Sequence, residues 1–225
     1  MSIHPLDRPV WNALNTGWAK FALGKAPVVQ LDPKYGPFAA TADRSPDLLA
    51  ALASCELGDL GLWVVEADAF PVPPGMQFSH NAPIAQMVTT EVAYKRPSFD
   101  VLKLTDADGP EMFALARLTR PGPFATHTHQ LSQFIGVKQD GKLVAMAGER
   151  MRMPGFAELS GVCTHPDHRG HGYGAVLSSL ITQRILDRGE TAFLHAYSGN
   201  TGAIDLYKAL GYSHRTTLTL TVLTR

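Results

Sequence analysis

The chain has 225 residues, 45% of them hydrophobic, enough to bury one sizeable core or two small ones. Lys plus Arg and Asp plus Glu number 20 each, which leaves no global positive field for nucleic acid or an anionic membrane surface. Cys55 and Cys163 are too few for a disulfide framework, no apolar run approaches the ~18 residues of a membrane span, and no charged-then-apolar leader opens the chain, so a cytoplasmic protein is expected.

In chain order, Pro9-Val10-Trp11-Asn12-Ala13-Leu14 opens a stretch of short elements, with apolar runs at residues 28–31 and 38–42. Ser45-Pro46-Asp47 sets a capped helix start ahead of the apolar residues 48–53, and residues 60–65 read as a buried strand. Phe70-Pro71-Val72-Pro73-Pro74-Gly75 is a turn or linker, and residues 84–94 predict another strand. Lys95-Arg96-Pro97-Ser98 is the expected boundary between a smaller N-terminal α/β half-domain, residues 1–96, and a motif-bearing domain, residues 97–225. No glycine-rich cradle occurs before it. The first part therefore reads either as a degenerate half-domain that helps shape a pocket or as an extension without a site.

Past the boundary, residues 101–104 predict a strand, and Thr105-Asp106-Ala107-Asp108 a capping box for a helix whose apolar face is Met112, Phe113, Leu115 and Ala116. Pro121-Gly122-Pro123 ends it. Residues 134–138 and 142–149 are apolar runs joined by Gln139-Asp140-Gly141, a hairpin signal, and residues 156–164 supply a further strand.

That strand runs into Thr164-His165-Pro166-Asp167-His168-Arg169-Gly170-His171-Gly172-Tyr173-Gly174-Ala175. Glycines at 170, 172 and 174 keep side chains away, so successive backbone N–H groups and the positive end of the following helix can face one anion, such as a diphosphate. Arg169 adds a fixed charge. No Lys follows as a P-loop would require. Gly170, Gly172 and Ala175 also satisfy the dinucleotide spacing G-x-G-x-x-G/A, with Asp187 and Glu190 at roughly the ribose-binding distance of about 20 residues, but that motif opens a fold of about six strands and too little chain follows here. After the cradle, Val176, Leu177, Leu180, Ile181, Ile185 and Leu186 recur at helical spacing up to Gly189. Residues 191–197 then predict a strand, 201–210 a helix, and 216–223 a final strand alternating Thr with Leu or Val.

Read as Arg169-x-x-Gly172-x-Gly174, the turn resembles the acyl-CoA-binding signature R/Q-x-x-G-x-G/A of the GNAT superfamily of N-acetyltransferases. Asn200-Thr201-Gly202-Ala203-Ile204-Asp205-Leu206-Tyr207-Lys208-Ala209-Leu210-Gly211-Tyr212 resembles its second motif, N-x-x-A-x-x-L-Y-x-x-L-G-F/Y, in the expected order. Within the superfamily the resemblance is to the branch related to glycine N-acyltransferases, and it covers roughly residues 97–225. It implies a GNAT-like α/β (α+β) fold, a mixed, mostly antiparallel sheet flanked by helices, and it allows the first 96 residues to be a degenerate copy. It further implies acetyl-CoA as cosubstrate, no metal, and transfer of an acetyl group to an amine by direct attack. The partners implied are a small-molecule or peptide amine, no nucleic acid and no membrane, with a homodimer admitted. Two other functions stay open: a catalytically silent acyl-CoA-binding or sensing protein, and an NAD-dependent oxidoreductase suggested by the rival glycine spacing.

On this resemblance, Arg169, Gly170, His171, Gly172, Tyr173 and Gly174 would hold the diphosphate, and backbone near Val162 and Thr164 would pair with the pantetheine arm. Asn200 would contact the cofactor, and it can equally cap the helix that starts at Thr201. Tyr207, two turns beyond Asn200 on the same helix face, is the general-acid candidate, because a phenol of pKa about 10 can protonate a thiolate as it forms. Ala203, Leu206, Tyr207 and Leu210 also read as a plain core stripe. Glu158 resembles in position the glutamate that serves some family members as base; apolar neighbours would have to raise its pKa from about 4.3 toward 6–7, and it can instead point to solvent. His127 and His129 follow Pro121-Gly122-Pro123-Phe124 where GNAT-like folds receive the acceptor, so either can bind substrate or lie in a solvated loop. His165, His168 and His171 are spaced by three, but no Cys or carboxylate pattern completes a zinc site.

Overall fold

The computed structural model describes residues 4–225. A short helix α1 (Pro9–Leu14) is followed by strands β1 (Ala22–Lys25), β2 (Val28–Leu31) and β3 (Ala39–Thr41), helix α2 (Pro46–Ala53), and strands β4 (Leu62–Glu66) and β5 (Gln77–Thr89). Then come β6 (Leu102–Lys103), α3 (Gly109–Thr119), β7 (Ile135–Gln139), β8 (Lys142–Met153), β9 (Phe156–Thr164), α4 (Tyr173–Leu186), β10 (Thr191–Tyr197), α5 (Thr201–Ala209) and β11 (Ser213–Thr224). β1, β2 and β3 form a small antiparallel sheet. All the others join one eight-stranded sheet in the order β4-β11-β5-β10-β9-β8-β7-β6. Every neighbouring pair in it is antiparallel except β9 with β10. This is the mixed, mostly antiparallel sheet with flanking helices that the sequence predicts, and its single parallel pair departs from the multi-stranded parallel sheet of a dinucleotide fold.

Local chemistry sets the element ends. Thr105 and Asp108 close the expected capping box, with Thr105 N–H donating to Asp108 Oδ2 at 2.8 Å. α3 stops at Arg120, which turns left-handed with φ 51° just before Pro121, a residue that disfavours α geometry in its predecessor. Asp140 and Gly141 both take positive φ in the two-residue turn between β7 and β8, which matches the right-handed twist of the paired strands.

The division expected at residue 96 is not a structural boundary, and the first part is not a separate half-domain. β5 lies between β10 and β11 and pairs along most of β11, while β4 takes β11's other edge. The reason is that the central strands bury both faces. On β10, Phe193 packs with Leu6, Val10, Leu14, Trp18, Met151 and Leu220, while Ala192 and Leu194 pack with Leu177, Ile181, Ile185, Tyr207 and Leu210. A sheet apolar on both sides needs a cover on each. The N-terminal residues supply one cover and α4 with α5 the other. Trp18 pins the N-terminal cover by donating its Nε1–H to the Arg150 carbonyl at 2.8 Å. β5 also begins earlier than residue 84. Pro83, which argues against a central strand, sits just before the stretch where β5 gains β10 as its second neighbour.

No helix among the described residues is long and apolar enough to cross a membrane.

Candidate functional site

β9 and β10 pair through Phe156 with Thr191, Ala157 with Ala192 and Glu158 with Phe193, and there the pairing stops. Beyond that point β9 keeps only β8 as a neighbour and β10 keeps only β5. A bulge at Gly161 bends β9, with φ 64° and a register shift against β8 between Met146 and Gly148. A Cβ at this position would lie 2.7 Å from Phe134 Cε1, so sterics and backbone both demand glycine. The parted strands open a cleft of about 550 Å³. Val162, Thr164, Arg169, Gly174, Asn200 and Tyr207 line one end, and Phe38, Trp63, Val65, Arg150, His195 and Tyr197 the other.

The cradle follows from the end of β9. After a 3-10 turn over Pro166–His168, Arg169 is extended, Gly170 takes φ 82°, and Gly172 takes φ 79° as the residue preceding α4. The open space around both glycines shows that their requirement here is conformational rather than steric within the protein. Helical bonding across the cap begins with Val176 N–H to Gly172 O at 3.1 Å, and no side chain caps the helix. The N–H groups of Tyr173, Gly174 and Ala175 are therefore free for an anion, beside the positive end of a 14-residue helix. The side chains of His171 and Tyr173 brace this turn. His171 Nδ1 donates to the His168 and Arg169 carbonyls at 3.1 and 3.0 Å and stacks on Tyr173, whose hydroxyl accepts from Gln139 Nε2 at 3.2 Å. Both side chains are thus engaged within the protein, and only the backbone of these two residues is left to face an anion. His165 and His168 pack ring edge to face, and among the described residues no three His, Cys, Asp or Glu side chains converge as metal ligands.

Asn200 caps α5, its Oδ1 accepting from Ala203 N–H at 3.2 Å, and it also borders the cleft. Tyr207 combines the two expected readings. Its ring packs beside Tyr212 in the core, yet the residue also borders the cleft, and its hydroxyl has no partner among the described residues. Burial, with a smaller contribution from nearby Cys163, pushes the phenol up to about 12. Burial likewise pushes the Cys163 thiol up to about 12, against a hydrogen bond to Thr119 that lowers it.

Glu158 has neither of the surroundings expected for it. It is fully buried yet ringed by donors: Arg150 Nε at 2.9 Å and Nη2 at 2.7 Å, Met151 N–H at 3.2 Å, and His195 Nδ1 at 2.8 Å. Burial pushes its carboxyl up, but the charge of Arg150 and the hydrogen bonds from Arg150 and His195 outweigh it and hold the pKa at about 2. A carboxylate held so low is a weak base, and Glu158 does not border the cleft. The arrangement continues outward. His195 Nε2 accepts from Gln86 Nε2 at 3.1 Å, which leaves the ring proton on Nδ1; Gln86 Nε2 also donates to the Leu6 carbonyl, and Gln86 Oε1 accepts from Arg215 Nη1 at 2.8 Å. Arg150 is the inner end of this chain. It emerges from a second bulge, where β8 shifts register between Glu149 and Arg152, and its guanidinium lies 5.0 Å from the centre of the Phe38 ring.

His127 and His129 are not among the residues that line the cleft. Thr128 donates its hydroxyl to the Tyr35 carbonyl at 2.7 Å and accepts from Ala125 N–H, folding the loop onto the N-terminal cover. That turns His129 into a pocket beside Gly109, with Nε2 3.2 Å from Asp106 Oδ1, and sets His127 against Tyr35. The residues that reach the cleft from this region are Thr119 to Pro123. Sequence reasoning missed Arg150, His195, Phe38 and Trp63. The period-two placement of Phe193, His195 and Tyr197 on one strand was a signal for His195. Arg150 directly ends the apolar run 142–149, but nothing local announces the bulge that aims it.

The family model of FR47-like proteins matches residues 134–220, a span that contains both the cradle and Tyr207. A solved structure assigned to the GNAT family of acetyltransferases, from Novosphingobium aromaticivorans, is 44% identical, covers 99% of each chain and superposes with a TM-score of 0.88. A GCN5-related N-acetyltransferase from Kribbella flavida shares the fold at 20% identity, over 95% of this chain and 93% of its own, with a TM-score of 0.63. So does a GCN5-related N-acetyltransferase-like protein from Streptococcus suis, at 15% identity, over 88% and 84%, with a TM-score of 0.55. No curated protein matches the chain.

Proposed function

The chain belongs to the GNAT superfamily of acetyltransferases, and on that premise we propose that it transfers an acetyl group from acetyl-CoA to an amine by direct attack. The observation that carries this reading is the union of an anion cradle, a parted strand pair and the unpartnered Tyr207 hydroxyl along one cleft. The N–H groups from Gly170 to Ala175, with Arg169, suit a diphosphate without a metal. The free edge of β9 from Leu159 to Thr164 offers N–H and C=O groups to a pantetheine arm, and the Asn200 amide adds a contact beside it. When bound, acetyl-CoA supplies a thioester carbon at which the C–S bond breaks as the new C–N bond forms. Tyr207, neutral at every working pH, gives its proton to the departing sulfur, the amine proton leaves to water, and water returns a proton to the phenolate to close the cycle. Glu158 acts as an anchor for Arg150 and His195 rather than as the base. Phe38 and Trp63, from the first 96 residues, wall the acceptor end. Within the superfamily our reading keeps the branch related to glycine N-acyltransferases, on the sequence resemblance of residues 97–225.

Calorimetric titration with acetyl-CoA, NAD and NADH at matched salt and pH tests the reading. Selective binding of acetyl-CoA, followed by thiol release on adding an amine, is expected. Selective dinucleotide binding would overturn it. Acetyl-CoA binding without thiol release from a broad amine panel would leave a silent acyl-CoA-binding protein in its place.

A further inference from the structure

None of the titratable side chains that line the cleft can take a proton from an ammonium at neutral pH. Arg120, Arg150 and Arg169 are cations, and no Asp or Glu among the described residues lines it. Burial raises the Cys163 thiol and the Tyr197 and Tyr207 phenols above their ordinary values, so all three keep their own protons. That leaves His195. Its Nδ1 donates to Glu158 and its Nε2 accepts from Gln86, so neither ring nitrogen has a lone pair to offer. Gln86 is itself fixed, its amide nitrogen donating to the Leu6 carbonyl and its oxygen accepting from Arg215. Glu158, outside the lining, accepts from Arg150, Met151 and His195.

A cleft without a base and faced by cations disfavours an alkylammonium ion twice, by repulsion and by leaving its proton without an acceptor. An alkylamine with a pKa like that of lysine, about 10.4, is neutral in only about one molecule in 2,500 at pH 7. An amine attached directly to an aromatic ring shares its lone pair with the ring, so it arrives uncharged and needs no base. The acceptor end also offers a surface to a flat ring. Phe38 and Trp63 meet edge to face with ring centres 6.2 Å apart, and Tyr197, 39% exposed, lines the same end. Trp63 already donates its Nε1–H to the Leu60 carbonyl at 2.9 Å, so its polar atom is satisfied and it presents ring alone. These rings are not a cage for a cation, because the Arg150 guanidinium already lies over Phe38, 5.0 Å from its centre. Phe38 and Trp63 also precede residues 97–225, the span of the resemblance to glycine N-acyltransferases, so this wall can select a different acceptor.

Resting on the acetyltransfer reading of the same cleft, we propose that the acceptor is an arylamine, which enters uncharged and packs its ring against Trp63 and Tyr197. Its neutral nitrogen attacks the thioester carbon, and the C–N bond forms as the C–S bond breaks. One proton of that nitrogen passes to water and the sulfur takes the Tyr207 proton, giving an N-aryl acetamide and CoA. Alkylamines and polyamines are rejected by the arginines that face them and by the lack of an acidic partner.

The test is calorimetry at neutral pH on the protein saturated with CoA, titrated with aniline, benzylamine, cyclohexylamine and glycine. Benzylamine keeps the aromatic ring and adds the charge, cyclohexylamine carries the charge on a saturated ring, and glycine represents free amino acids. Aniline is expected to bind at least about tenfold more tightly than the other three. Equal or tighter binding of any of them, or no binding of aniline, overturns the proposal. Thiol release from acetyl-CoA gives a second readout: with aniline its rate should stay level from about pH 6 to 9, and a rise of about tenfold would reveal a base in the cleft and refute the argument. Trp63→Leu is expected to weaken aniline binding severalfold while CoA affinity holds, and a folded variant with native aniline affinity refutes the role of the wall. Should that variant fail to fold, the four ligands on the native protein still decide. Selective aniline binding without thiol release from any amine supports the site and refutes acetyl transfer. Release with benzylamine or glycine, while aniline neither binds nor reacts, refutes the acceptor class and leaves transfer standing.

Discussion

Replacing Tyr207 with Phe removes one oxygen from a ring that is otherwise part of the core. The hydroxyl has no partner among the described residues, so the variant should lose less than about 1 kcal/mol of stability, and CoA affinity should hold within about twofold. If the phenol protonates the leaving thiolate, turnover should fall by about 10²–10⁴-fold. The proton balance supports that role. A free thiol near 8.5 is a stronger acid than a free phenol near 10, which would make the transfer uphill by about 2 kcal/mol. Burial carries Tyr207 up to about 12, and it carries the neighbouring Cys163 thiol up to about 12 as well, so desolvation beside this cleft raises a thiol as it raises a phenol. The acid form is the neutral one. It persists through pH 10.5, where a phenol of pKa about 10 would be roughly three-quarters ionised. The folded pKa lies above the unfolded one, so the matching contribution to stability is complete below about 10 and is lost as pH rises through about 12. The assay is therefore the initial rate of thiol release from acetyl-CoA between about pH 7 and 10.5, beside a CoA titration and a thermal melt. A Phe variant within about threefold of native turnover, or a native rate that halves near pH 10, would refute the reasoning.

Glu158 is held at about 2, below the ordinary carboxyl range, so its contribution is present above that range and is lost as pH falls through it; Glu158→Gln should cost about 3–5 kcal/mol at pH 7 and flatten the acid side of a urea-midpoint profile, and a variant that tracks the native curve would show the pair to be inert. Gly161→Ala meets both φ 64° and a 2.7 Å approach to Phe134, and should lower Tm by several degrees, at about 2–4 °C per kcal/mol; an unchanged melt would show that the bulge is not required. Asn200→Ala should lose about 1 kcal/mol of helix cap, whereas Asn200→Asp keeps the acceptor; weaker CoA binding by calorimetry in the Asp variant as well would assign the contact to the amide N–H, and native affinity in both would remove Asn200 from the binding site.

Much of the motif-bearing stretch after residue 96 was legible because its signals are short-range. β10 and α5 begin and end within about a residue of where period, caps and glycines put them, and α4 contains the whole apolar stripe read over residues 176–186. The cradle is a backbone device written in adjacent residues. Glu158 was found on the right strand, but its partners come from β8 and β10, and no single strand reveals whether its neighbours are apolar or cationic. Arg150 depends on a bulge that no local pattern encodes. The first 60 residues were opaque for a related reason: their apolar side chains mark no function by themselves, and what they cover is a sheet face made mostly of residues far downstream.

The place of β5 has a consequence for how the molecule is made. Ile84 pairs with Tyr197 on one side and Leu218 on the other, both more than a hundred residues later. A ribosome delivers this strand early and its two neighbours last, so the sheet and the cleft between β9 and β10 close only when nearly the whole polypeptide has emerged. Such long-range pairing slows folding, and until it is complete β5 offers two bare edges to other nascent chains. A fragment starting after residue 96 would carry both signature motifs yet leave β10 and β11 without the strand between them, so it lacks the pairing that holds these two strands in the sheet.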